Sequence, residues 1–79
     1  MRLDKYLKVS RLIKRRTVAN EACDAGRVSV NGKPARASYD VKIGDTLTIA
    51  LGTREITVEV VSVQETVAKN DAALLYKLL

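Results

Sequence analysis

The sequence predicts an α+β fold: two short N-terminal helices packed on a small, mostly antiparallel sheet, with a short helix at the C-terminus. Three observations lead there. Apolar residues recur at helical spacing between residues 3 and 25, and they alternate at strand spacing between 28 and 63. Turn signals punctuate the second stretch, chiefly Asn31-Gly32 and Gly52. Charge is uneven as well, because residues 1–36 carry ten Lys/Arg against three Asp/Glu while residues 37–79 carry four against six.

Each element has its own warrant. Over residues 3–9, Leu3, Tyr6 and Leu7 share one side of a helix and Asp4, Lys5 and Lys8 the other. A basic connector, Ser10 to Arg15, follows. Arg16 to Ala25 reads as a second helix with Val18, Ala19, Ala22, Cys23 and Ala25 on an apolar arc, and Arg16, Asn20 and Asp24 on its polar side. Gly26 stands where a left-handed residue ends a helix. Val28-Ser29-Val30 is a short strand, Asn31-Gly32 a tight turn, and residues 33–36 a loop or short return strand. Thr46 to Leu51 and Glu55 to Val63 form a hairpin across residues 52–54. Asn70 and Asp71 are expected to start a last helix over Ala72 to Leu79.

Composition narrows the function. The 79 residues fit a single domain, expected to span 1–79 with a motif core over about 1–50 and a hairpin and helix over 51–79. Net charge is +5 and the isoelectric point about 9.7, which favours a polyanionic partner. No His is present and Cys23 stands alone, so a Ser-His or Cys-His nucleophile and a zinc site have no residue set. No phosphate-cradling glycine motif occurs. The expectation is a binding protein, not an enzyme, without cofactor or metal. With no long apolar run and no secretory h-region, the expected location is the cytoplasm, away from membranes.

Three stretches together resemble the αL RNA-binding domain, the small module named for ribosomal protein S-four. They are Arg2-Leu3-Asp4-Lys5-Tyr6-Leu7, Arg16 with its small-residue helix, and Gly26-Arg27-Val28-Ser29-Val30-Asn31-Gly32. Arg15 stands where the family often has a Ser or Thr cap, and Ala37-Ser38 where it often has Pro-Ser. Asp71 to Tyr76 is similar to the end of the folded part of the fifteen-kilodalton heat-shock branch. The chain stops at Leu79 without the basic extension of the proteobacterial members, so the expectation is the short Gram-positive form, which stabilises P-site tRNA in ribosome quality control. The resemblance implies the αL fold and RNA binding. Its implied partners are large-subunit rRNA, the P-site tRNA of a stalled large ribosomal subunit, and a quality-control elongation protein that extends the nascent chain without mRNA.

The residues expected at the RNA are Arg2, Lys5, Lys8, Arg11, Lys14, Arg15, Arg16, Arg27, Asn31, Lys33 and Arg36. Arg16 is the first choice, because a helix start favours phosphate and a guanidinium fork can bind two oxygens. Asn31 is also a turn residue, the heavier of its two readings. Asp4 can pair with Lys8, act on the helix dipole, or orient Arg2 or Arg16. Three Tyr and no other aromatic residue favour reading the shape and backbone of structured RNA over base stacking. Two other readings stay open: a detached module serving an rRNA- or tRNA-modifying enzyme, and electrostatic attachment to anionic membranes.

Overall fold

The computed structural model describes residues 1–64 and 69–79, with the side chains of Lys69, Asn70 and Ala73 excluded. Two helices, α1 (Leu3–Val9) and α2 (Arg16–Asp24), precede β1 (Val28–Val30), β2 (Lys33–Pro34), β3 (Thr46–Leu51) and β4 (Arg54–Val60). A 3₁₀ segment (Lys69–Leu75) leads into β5 (Tyr76–Leu78). The sheet order is β2-β1-β3-β4-β5, and every pairing in it is antiparallel.

Local chemistry sets the boundaries of these elements. Gly26, at φ 78°, ends α2: its N–H donates to the Cys23 carbonyl and that of Arg27 to Ala22, the paired bonds that satisfy a helix's last carbonyls. Asn31 and Gly32 both take positive φ, 52° and 85°, as a two-residue hairpin turn demands, and Val30 pairs with Lys33 across it. In β3, Leu47 and Ile49 point inward, and in β4 Val58 and Val60 do so. These four meet Leu3, Tyr6 and Leu7 of α1, Ala19 and Cys23 of α2, and Val28 of β1 in one core.

The C-terminus differs from the expected helix over Ala72 to Leu79. A helical segment is present, but it is 3₁₀, covers Lys69–Leu75 with Asp71 in its first turn, and gives way to a strand. An eight-residue helix is marginal without packing. The edge of β4 offers better-paired backbone groups, with Val60 opposite Tyr76 and Val58 opposite Leu78. The expected capping side chain of Asn70 lies outside the described residues.

The buried Tyr6 hydroxyl ties α1 to this end of the chain. It donates to the Leu75 carbonyl at 2.6 Å, and that carbonyl also accepts from the Val61 and Ser62 N–H groups. Burial, followed by the nearby Tyr76, raises the Tyr6 pKa well above the ordinary phenol value. Because two donors remain on the carbonyl, Tyr6→Phe should cost only about 1 kcal/mol in a urea titration. A loss of 3 kcal/mol or more would mean that this bond holds the C-terminal strand.

Two expectations about α2 and one about α1 are corrected. Val18 is 47% exposed and Ala25 is also on the surface, because the arc that packs inward is the narrower one of Ala19, Ala22 and Cys23. Asp4 does not lie on the solvated side of α1; it is 2% exposed, covered by α2.

Candidate nucleic-acid interface

Asp4 organises the basic surface. Its carboxylate accepts the Lys5 N–H at 2.8 Å, Arg2 Nε at 3.1 Å, Asn20 Nδ2 at 3.2 Å, and lies 3.3 Å from Arg16 Nε. The second edge nitrogen of each arginine reaches the same carboxylate, at 3.4 Å for Arg2 and 3.5 Å for Arg16. The residues that orient one another thus come from both helices. The i, i+4 partner expected for Asp4, Lys8, is not one of the groups that hold it.

The energetics favour a permanently charged carboxylate. Burial alone would raise its pKa, but hydrogen bonds from Arg2, Asn20, Arg16 and the Lys5 N–H outweigh it and bring the value down to about 2. Two guanidiniums against one carboxylate leave a net positive cluster. Both arginine side chains remain about half exposed, 50% for Arg2 and 47% for Arg16, while Asp4 is 3%. Each guanidinium has five donors and spends its Nε/Nη2 edge on Asp4, so its outer edge stays open for an incoming anion.

The start of α2 adds to that edge. Arg15 takes the cap position with extended backbone and makes no side-chain capping bond, and no acidic residue stands in the first turn. The first N–H groups of the helix are therefore left without a side-chain acceptor beside Arg16. The start of α1 is different, because the N–H groups of Leu3 and Asp4 donate to the Tyr39 and Ala37 carbonyls. Those bonds bring the loop after β2 against α1, and Asp24 accepts the Ala37 N–H to bind the same loop to α2.

Arg2 and Arg16 meet at Asp4, and the loop carrying Arg36 abuts the start of α1. Lys8, Arg11, Lys14 and Arg15 are exposed along α1 and the connector, and Lys5 is half-buried. Arg11 sits at φ 61°, the left-handed position after α1 where glycine is usual. Lys33 and Arg36 line a groove with Tyr39. Arg27 instead lines a cleft with Val18, Ala25 and Leu51, between α2 and the β3–β4 turn.

Asn31 is exposed, yet both ends of its amide are engaged. Its Nδ2 donates to Asp45 at 3.1 Å and its oxygen accepts the Thr46 N–H at 2.9 Å, a geometry that favours the turn role over an RNA contact. Asp45, 8% exposed, is the organising residue that the sequence did not reveal. It also takes the Tyr39 hydroxyl at 2.9 Å and the Lys42 N–H at 3.0 Å. Asn20 is the other omission: its i, i+4 relation to Arg16 was visible, but its role on Asp4 required the packing of the two helices.

Comparison with known proteins shows the family and the fold. A family model described as the S4 domain matches residues 1–47. The RQC P-site tRNA stabilizing factor of Bacillus subtilis is 56% identical over 79 residues, all of this chain and 92% of that protein. The factor of the same name from Halalkalibacterium halodurans is 57% identical over 77 residues, 98% of this chain and 88% of its own length. Among solved structures, the trimeric heat shock protein 15 of Vibrio cholerae superposes with a TM-score of 0.93 at 31% identity, covering all of this chain and 81% of the other.

Proposed function

We infer the function from a family premise: this chain belongs to the S4 domain family, together with the RQC P-site tRNA stabilizing factors. It is an RNA-binding factor of ribosome-associated quality control and acts by binding, not by catalysis. On a stalled, split large subunit it contacts large-subunit rRNA and the P-site peptidyl-tRNA. By holding that tRNA it supports mRNA-independent tail elongation by a quality-control elongation protein, in the cytoplasm.

One observation carries this reading. Two arginines, one just before α1 and one at the start of α2, are fixed on a single buried carboxylate, with their outer edges open beside an uncapped helix start. That arrangement suits the phosphates of folded RNA, whose spacing a rigid pair of forks can match. It does not require exposed apolar anchors, which membrane attachment would. Cosedimentation tests the ribosomal version. The protein should pellet with large subunits bearing peptidyl-tRNA and much less with intact ribosomes; equal pelleting with both, or with neither, would reject it.

A further inference from the structure

The loop between β2 and β3 builds a feature that the arginine pair does not use. An open groove of about 670 Å³ lies there, lined by Val30, Asn31, Lys33, Pro34, Arg36 and Tyr39 among others. That volume is within the usual range of small-ligand sites. Its charged lining residues are both cations, Lys33 and Arg36, and both are exposed.

Tyr39 gives the groove an aromatic wall. The ring is half-buried against the core, and its hydroxyl is spent on Asp45 at 2.9 Å. Asp45 is itself locked by Asn31 and the Lys42 N–H. The ring is thus fixed at its far end before any ligand arrives, and Tyr39 is one of the residues lining the groove. Its backbone is fixed too, since the Tyr39 carbonyl accepts the Leu3 N–H at 2.8 Å, one residue from Arg2. A pre-positioned ring costs little conformational entropy on binding.

A ring beside two cations matches one chemical unit, a base with its phosphate. A base inside a duplex already stacks on both neighbours, so only an unpaired one has a free face. We propose that this groove holds a single unpaired nucleotide of the bound RNA, its base stacked on Tyr39 and its phosphates against Lys33 and Arg36. The proposal rests on the RNA-binding reading above and adds a local preference for a bulged or looped nucleotide to shape recognition.

The test uses two hairpin RNAs, one with a single bulged 2-aminopurine and one fully paired, titrated with the whole protein at 50 mM salt. The wild type should bind the bulged hairpin about tenfold more tightly and quench the 2-aminopurine fluorescence, as a base–aromatic stack does. Tyr39→Phe keeps the ring but loses its hold on Asp45, so it should keep the quenching with a smaller preference, whereas Tyr39→Leu should lose both. Thermal melting checks that each variant is folded, and the wild-type comparison stands even if the leucine variant is not. Equal wild-type affinity for the two hairpins, with fluorescence unchanged, overturns the nucleotide groove while leaving RNA binding intact. Binding to neither hairpin and to no large-subunit RNA overturns the RNA-binding reading, and the groove with it.

Discussion

Asp4→Asn should weaken RNA binding about tenfold while leaving every basic residue in place. The asparagine keeps the shape but not the charge, so Arg2 and Arg16 lose the carboxylate that holds one edge of each. Ordering a freed arginine on RNA costs about 0.5–1.5 kcal/mol, and two must be ordered. Stability should fall as well, by about 1–2 kcal/mol, a value held down by the half-exposed guanidiniums and their solvent screening. The pH profile separates this role from simple packing. The Asp4 pKa is lowered from 3.8 to about 2 in the folded protein, so its contribution is complete above about pH 4 and disappears as pH falls toward 2. Wild-type stability should drop through that window, and the variant should drop less steeply, since among the described residues the carboxylates of Asp45 and Asp40, also lowered, still contribute. Urea titrations of both proteins between pH 2 and 7 would measure it. Parallel profiles would remove Asp4 from its central position.

Arg16→Ala should cost more at the RNA than any other single change among the basic residues. It removes a charged fork worth about 1.5–3 kcal/mol, a roughly 10- to 100-fold loss of affinity. Arg16→Lys should recover only part of this, because a point charge cannot both keep an edge on Asp4 and offer a second edge outward. Folding should change little, since the side chain is 47% exposed and Arg2, Asn20 and the Lys5 N–H still hold Asp4. Binding by filter retention to large-subunit RNA, set beside a melting curve, distinguishes these effects. Arg27→Ala is the natural control, because that side chain lines a different cleft, with Val18 and Leu51.

Much of this was legible in the residues. Leu3, Tyr6 and Leu7 specify α1, and Gly26 and Asn31-Gly32 specify where α2 and β1 end, because each is a local steric demand that tertiary structure does not override. Asp4 was harder to read. Helical periodicity assigned it to the polar face, and only the packing of α2 over that face turns a surface carboxylate into a buried one. Val18 erred in the opposite direction, as an apolar residue left on the surface because smaller neighbours fill the helix contact. The composition of Ala72 to Leu79 suits a helix, but the turn ends at Leu75 and strand pairing with β4 takes Tyr76–Leu78. Asp45 gave no signal at all. Its partners Asn31, Tyr39 and Lys42 converge on it only through the β1–β2 turn and the following loop.

In the proposed interface a fixed set of cations, anchored at Asp4 and led by Arg16, meets the phosphates of folded RNA. Its most direct test is the salt dependence of binding to large-subunit RNA. For about four to six phosphate contacts, log K should fall with log salt at a slope of about −3 to −5, and Arg16→Ala should make it shallower by about one. A slope near zero, or one that Arg16→Ala leaves unchanged, would contradict the account.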